Sequence, residues 1–381
     1  MIALVCLGLA LLSLAIWIGL LLVRDGFWLA RDTDAGMAPP PAHWPAVVAV
    51  VPARDEADVI GPAMASLIAQ DYPGGFRVVL VDDGSSDGTG SVARRAAQGS
   101  DRLTVIEGSP PPAGWTGKLW AMRNGVVQAD DMSTYFWFTD ADIAHAPDTL
   151  RALVARSEGG GLALDSLMAE LRCDSLAEKA LIPAFVFFFQ MLYPFARVNR
   201  PAAKMAAAAG GCMLVRREAL DRAGGLAAIA DAIIDDCAMG AAMKAQGPIR
   251  LSLTRRSLSL RPYGGWREIV AMISRSAYAQ LDYSPWLLAG TLAGLALLYV
   301  APPAFALFGH GGAQLAGALA WLGMAVCFQP MLRFYRRSPL WGVALPAIGV
   351  VYGAATALSA WQHKRGRGGM WKGRAQARTQ Q

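Results

Sequence analysis

Arg77-Val78-Val79-Leu80-Val81-Asp82-Asp83-Gly84-Ser85-Ser86-Asp87-Gly88-Thr89 runs from an apolar stretch straight into two carboxylates and a tight Gly/Ser turn. An apolar run of this length, rich in valine and closed by Asp and Gly, reads as a buried strand that ends in polar side chains. The pattern repeats on either side. Residues 47–52, 77–82, 103–107 and 135–139 read as strands, with helical patterns at 59–70 and 91–98 between them. Strands that alternate with helices give a mainly parallel sheet covered on both faces. Ligands of such sheets bind at the carboxyl ends of the strands, and the polar motifs of this chain fall at those ends.

The first strand ends in Arg54-Asp55-Glu56 and the second in Asp82-Asp83. A carboxylate at Asp83 can accept hydrogen bonds from a base or ribose; equally, this Asp- and Ser-rich turn can cap the next helix. Thr139-Asp140-Ala141-Asp142 closes another strand. Two carboxylates spaced by one residue can both face a hard cation such as Mg2+ or Mn2+, which would neutralise a departing diphosphate; the bland alternative is a solvated turn. His145, nearby, reads as a surface residue. Lys118 follows Gly114-Trp115-Thr116-Gly117, where a flexible ammonium suits a phosphate. Asp235-Asp236 follows apolar residues and opens a helical pattern. It offers a general base, or simply the acids favoured at a helix N-terminus.

The chain has 381 residues, of which 54% are hydrophobic and 17% charged. A soluble globular chain averages about 45–50% and about 25%, so the excess needs lipid or a very large core. Residues 2–23 are almost wholly apolar, long enough to cross a hydrocarbon layer of about 30 Å. With no basic leader and no cleavage signal, they read as an anchor. Arg24 and Arg31 place the next segment in the cytoplasm. Residues 25–45, with four prolines, read as a linker, 46–263 as the catalytic domain and 264–285 as an amphipathic helix in the headgroup plane. A second interfacial stretch is expected at 182–196; for each of the two the alternative is a core-facing helix, and their place just before the spans favours the membrane.

Three apolar runs at 287–308, 314–332 and 340–361 read as membrane helices within a region spanning 286–363, with kinks expected at Pro302, Pro303 and Pro346. A basic tail, 364–381, comes last. One anchor plus three spans leaves both termini on one side. Arg24 argues for an outside N-terminus, whereas Lys364, Arg365, Arg367, Lys372, Arg374 and Arg378 argue for an inside tail. Residues 340–361, with Pro346 and several small residues, are the suspected re-entrant run. The net charge of +6 suits an anionic membrane face, and no nucleic-acid motif is present. Five scattered cysteines without a CxxC pair exclude a zinc ribbon and a disulfide framework.

The order strand–Asp83, Lys118, strand–Asp140/Asp142, Gly210-Gly211-Cys212 and Asp235-Asp236 resembles family 2 glycosyltransferases of the GT-A fold, over residues 47–283. An N-terminal anchor, a C-terminal membrane region and Arg275-Ser276-Ala277-Tyr278-Ala279-Gln280-Leu281 make it similar to the hopanoid-associated branch, related to ceramide glucosyltransferases. The resemblance implies an α/β catalytic domain in the cytoplasmic membrane, facing the cytoplasm, with one N-terminal and about three C-terminal spans. It implies a nucleotide-sugar donor, a uridine diphosphate sugar by family expectation, a lipid acceptor and Mg2+ or Mn2+. By position, Asp55, Glu56 and Asp83 would hold the nucleoside. Lys118 would meet the diphosphate, Asp140 the ribose or metal, and Asp142 the metal. Asp236 would be the base, supported by Asp235, and Arg275 would steady the leaving group. The Q/R-x-x-R-W motif of processive and ceramide-type members is reduced here to Arg275-x-x-Tyr278. A non-catalytic scaffold and a nucleotidyltransferase are the rival readings; the latter lacks its early GxGxR-type loop.

Overall fold

The computed structural model describes residues 1–36, 38–129, 132–366, 370–371 and 374–375. Arg367, Lys372 and Arg378 of the expected tail lie outside the described residues. The chain opens with α1 (Ile2–Leu22) and then builds β1 (Val47–Ala53), α2 (Ala57–Ile68), β2 (Phe76–Asp82), α3 (Thr89–Ala96), β3 (Leu103–Glu107), α4 (Gly117–Gln128) and β4 (Tyr135–Phe138). Next come β5 (Ile143–His145), α5 (Thr149–Gly160), β6 (Leu164–Glu170), α6 (Leu176–Leu192), α7 (Phe195–Val198), β7 (Met213–Arg216), α8 (Arg217–Arg222), α9 (Asp235–Lys244) and β8 (Ile249–Ser259). Then follow α10 (Trp266–Ser274), α11 (Pro285–Leu295), α12 (Ala301–Phe308), α13 (Gly312–Phe334) and α14 (Leu345–Lys364), and last a short antiparallel pair, β9 (Met370–Trp371) and β10 (Arg374–Ala375).

Strands β1 to β8 form one sheet in the order β3-β2-β1-β4-β7-β6-β8-β5. β3, β2, β1 and β4 are mutually parallel, as are β6 and β8, while β7 and β5 pair antiparallel with their neighbours. The sheet is thus mainly parallel, with a mixed half. Every residue of β1 is buried. Its alternate residues serve opposite layers, because side chains in a strand alternate across the sheet. Val47, Ala49 and Val51 pack with Ile60, Met64 and Leu67 of α2, whereas Val48 and Val50 pack with Leu119 and Met122 of α4. The layer on the α4 side continues into the C-terminal helices through Phe187, Phe328, Met331 and Tyr299.

Among the described residues, three helices are long and apolar enough to cross a membrane: Ile2–Leu22, Pro285–Phe308 and Gly312–Phe334. Of the about three C-terminal spans expected, two are thus candidate spans. α14 falls short because Gly349, Gly353, Ser359, Gln362 and His363 dilute its apolar content. It starts beside the middle of α13, where the Trp321 indole donates to the Val343 carbonyl at 3.0 Å. It ends at the 278–283 turn, where Ser359 accepts from the Tyr278 N–H and the His363 ring stacks 4.3 Å from that of Tyr283. Gly349 allows this path, since a Cβ there would stand 2.5 Å from the Tyr299 ring. Pro346 sits in the first turn of α14, where a missing N–H leaves no bond unmade, so it starts the helix and makes no kink.

Pro302 and Pro303 act one turn upstream. A π-helical turn, Ala296–Val300, separates α11 from α12. Pro302 has no N–H for the Leu298 carbonyl, and the Trp17 indole of α1 donates to that oxygen instead, at 3.0 Å. Ser13 does the same for Leu297, at 2.8 Å. Carbonyls freed by proline inside lipid need such partners. The expected interfacial stretch at 182–196 is a further correction. It lies mostly in α6, opened by a Ser175/Glu178 capping box, and it is enclosed. Phe187 meets Phe328 at 5.2 Å and Phe188 meets Tyr352 at 4.6 Å. α6 is clamped between the sheet domain and the helical bundle. α10 keeps its amphipathic face, with Ile269 and Ile273 buried and Trp266 46% exposed, but it ends at Ser274.

Candidate active site

The carboxyl ends of β1, β2 and β4 converge on one polar cluster. After β1 the chain turns through Asp55, whose φ of 49° is left-handed. Asp tolerates that region because its short side chain bonds locally, and here it accepts from the Ser86 N–H at 2.8 Å. The Ser85 hydroxyl in turn accepts from the Asp55 N–H at 3.0 Å. The two motifs predicted to hold a nucleoside are therefore laced to each other. Asp82 serves the turn itself, accepting from the Ser85 and Gly90 N–H groups. Asp83 is 3% exposed and faces Arg54, whose Nη1 lies 3.6 Å from its carboxylate and also donates to its carbonyl.

Lys118, on the first turn of α4, stands at the centre. Its Nζ is 2.9 Å from Asp140 and 3.0 Å from Asp235. Burial disfavours its charge, but the two carboxylates outweigh burial and hold the ammonium well above its usual range. Burial would likewise lift Asp140; Lys118, with Arg275 and Arg261 beyond it, pulls it below the ordinary range instead. Asp235 and Asp236 are the first residues of α9, where the helix N-terminus favours negative charge. Asp236 accepts from the Gly210 N–H at 3.1 Å. Gly210 sits close to both charges: a Cβ there would stand 3.3 Å from the Lys118 ammonium and 3.6 Å from Asp236. Burial, helped by the neighbouring Asp235 charge, pushes the Asp236 carboxyl up to about 6 against the pull of Lys118. A carboxylate poised near neutrality beside fixed charges has the profile of a general base.

Asp142 is held by a residue that sequence reasoning missed. Arg261, just past β8, places Nε 2.9 Å from Asp142 and Nη2 2.6 Å from Glu56. Burial opposes its charge, yet Asp142 and Glu56 raise it further above its ordinary value. The guanidinium occupies the place of a cation between these acids. Among the described residues, no group of three or more His, Cys, Asp or Glu side chains could hold a metal ion. Asp140 and Asp142 thus offer two carboxylates. That number suits Mg2+ or Mn2+, which take one or two carboxylates when phosphates and water complete the shell. The donor set fits such an ion.

Arg275, at the end of α10, is exposed and contributes to the field at Asp140. The reading of His145 as a surface residue is overturned. The ring is 5% exposed, between the Thr139 hydroxyl at 2.8 Å and the Ser257 hydroxyl at 2.9 Å, and burial pushes it down to about 3. It is a neutral core histidine that pins β5 to the end of β4. The hydroxyl of Tyr193, at the end of α6, accepts from the Gln280 amide at 2.8 Å and ties α6 to the turn after α10.

Residues 48–224 match the family model described as glycosyl transferase family 2. Asp235, Asp236 and Arg275 lie beyond that match. A stretch of 91 residues is 38% identical to the succinoglycan biosynthesis protein ExoU of Rhizobium meliloti (strain 1021), covering 22% of this chain and 26% of that protein. A stretch of 110 residues is 33% identical to the 4,4'-diaponeurosporenoate glycosyltransferase of Staphylococcus aureus (strain MRSA252), covering 29% of this chain and 27% of that protein. The chain therefore matches about a quarter of the length of these curated relatives. Among solved structures, the mannosyltransferase PcManGT from Pyrobaculum calidifontis, in complex with GDP-Man and Mn2+, superposes with a TM-score of 0.57. The identity is 22%, over 94% of this chain and 99% of that one. Such a likeness shows the fold, GT-A, which agrees with the sheet described above.

Proposed function

We propose that this chain, whose residues 48–224 match glycosyl transferase family 2, is a membrane-bound inverting glycosyltransferase that moves a sugar from a nucleoside diphosphate sugar to a lipid hydroxyl. The observation that carries the reading is Asp236, half-buried, accepting from the Gly210 N–H and raised to about 6, within one cluster with Lys118, Asp140 and Asp235. As a carboxylate it takes the proton from the acceptor oxygen as that oxygen attacks the anomeric carbon. Asp55, Glu56 and Asp83 hold the nucleoside at the carboxyl ends of β1 and β2. Lys118, released from Asp140 and Asp235, meets the diphosphate, and Arg275 closes over it from α10. A divalent ion on Asp140 and Asp142 supplies charge neutralisation of the leaving diphosphate when bound.

Support for a donor of this class comes from PcManGT, solved with GDP-Man and Mn2+. Support for a lipid acceptor comes from the helices that frame the site and from the 4,4'-diaponeurosporenoate glycosyltransferase among the relatives. Hopanoid precursors are the first acceptors to test. A topology with three spans accords with the charge pattern. α1 runs inward, α11–α12 outward and α13 inward, so the sheet domain and the Lys364–Arg365 end share the cytoplasmic side. α14 then dips into the bundle and returns.

Purified full-length protein should convert nucleotide sugar to glycolipid when given lipid extract and Mn2+. Chelation should abolish transfer, and Mg2+ or Mn2+ should restore it. Comparing lipids from cells with and without the gene would identify acceptor and sugar together. Sugar-nucleotide turnover undiminished by a chelator would refute the metal assignment, and no turnover of any sugar nucleotide would favour a scaffold.

A further inference from the structure

One groove lies away from the carboxylate cluster. It has a volume of about 640 Å³ and is lined by Trp28 and Leu29 after α1, by Arg255 of β8, and by Val326, Pro330 and Arg333 of α13, among others. That volume falls within the range of sites that hold a small molecule. The α13 residues are spaced to share one helix face, so the groove has a direction. α1 and α13 run side by side, Leu7 near Gly312 and Leu21 near Gly323. Val326 therefore sits at the level where α1 ends, and Arg333 two turns further toward the sheet domain. The wall is apolar at the bundle end and cationic at the domain end. Trp28 anchors the apolar end, its indole bonded to the Leu21 carbonyl at 3.0 Å.

The cationic end is held ready. Arg255 lies 5.1 Å from the Phe334 ring centre and donates to the Phe334 carbonyl at 2.8 Å. Its Nε is 4.0 Å from Glu170, a carboxylate shared with Arg336 at 3.8 Å. Arg333 is exposed and has no ion-pair partner among the described residues. Glu170 is thus shared by two guanidinium groups, Arg255 and Arg336, and Arg333 beside them has no acid among the described residues, which leaves a net positive patch where a bilayer's headgroups would begin.

We propose that this groove binds an anionic phospholipid of the surrounding bilayer, its phosphate between Arg255 and Arg333 and the start of an acyl chain along Trp28, Val326 and Pro330. The proposal rests on the membrane reading above, and its test separates the two. The full-length chain is reconstituted into nanodiscs of phosphatidylcholine with a minority of phosphatidylglycerol, and lipids retained after gentle release are counted by native mass spectrometry. The wild type should keep one phosphatidylglycerol in preference to phosphatidylcholine. Arg333→Gln removes one basic residue at the surface and should lower that retention about fivefold. Val326→Trp fills the groove without changing charge and should lower it as well, while Arg336→Gln, outside the groove lining, should retain it. Equal retention of the two lipids, or wild-type retention in both Arg333→Gln and Val326→Trp, overturns the groove site. Displacement by excess inorganic phosphate would reduce it to an anion site and also overturn a lipid. A chain that fails to enter the nanodisc overturns the membrane reading and the groove with it; entry without lipid preference overturns the groove alone.

Discussion

Asp236→Asn should lower turnover by about 10²–10⁴ and, at neutral pH, make the protein more stable. In an open chain this carboxyl titrates at 3.8, and in the fold at about 6. A gap of about two units, at about 1.4 kcal/mol each, amounts to about 3 kcal/mol. The folded state holds this proton more tightly than the unfolded state. The stabilisation it brings is complete below about pH 4 and is lost as pH rises through about 6. Above that, the fold carries an ionised, half-buried Asp236 beside Asp235. Asparagine keeps the shape and can still accept from the Gly210 N–H, but it has no charge to desolvate. The stability of the variant relative to the wild type should therefore grow by about 3 kcal/mol between about pH 4 and about pH 8. In a domain of this size that is roughly 6–12 °C in midpoint. Thermal unfolding of both proteins in one detergent across that pH range measures it. Turnover of the wild type should rise with pH and level off above about 6, as the base becomes a carboxylate. A stability gap that does not change with pH would refute the burial argument, and with it the reason for choosing Asp236 over Asp235.

Lys118→Met leaves Asp140 and Asp235 facing each other without a cation. Because Asp140 is partly exposed, the loss should be about 1–3 kcal/mol, below that of a fully buried pair, and donor affinity measured by calorimetry should fall with it. Arg261→Ala removes one guanidinium from both Asp142 and Glu56. If the guanidinium competes with a cation for Asp142, metal titration should show tighter apparent Mn2+ binding in the variant but a raised KM for donor, since Glu56 loses this anchor. Gly349→Ala drives a methyl group into the Tyr299 ring and should destabilise the bundle by about 1–3 kcal/mol, seen as a lower melting midpoint with the donor site intact.

The half of the site at the strand ends was legible because a parallel strand writes both its burial and its exit in consecutive residues. Val78–Val81 predicts the strand, and Asp82-Asp83 comes at once after it. The same holds for Tyr135–Phe138 and Asp140. Arg261 was not legible. Its partners Asp142 and Glu56 are 119 and 205 positions away, and a single arginine after a strand carries no local signal. His145 misleads for a related reason, since the Ser257 hydroxyl that buries it comes from β8, 112 positions on. The starts of α2 and α3 read two residues late in the sequence, because the apolar period begins only after the first, polar turn. The run at 340–361 has the local look of a span. What sets its path is the tertiary fit of Gly349 to Tyr299 and of Val343 to Trp321.

The central claim is that Asp236 removes the acceptor proton in a site that binds its donor without it. The most direct test measures donor binding and glycolipid formation side by side for the wild type and Asp236→Asn, with the same nucleotide sugar, lipid extract and Mn2+. Binding within a few-fold of wild type, with transfer lowered by about 10²–10⁴, is the predicted result. Transfer at a near-normal rate in Asp236→Asn would contradict it.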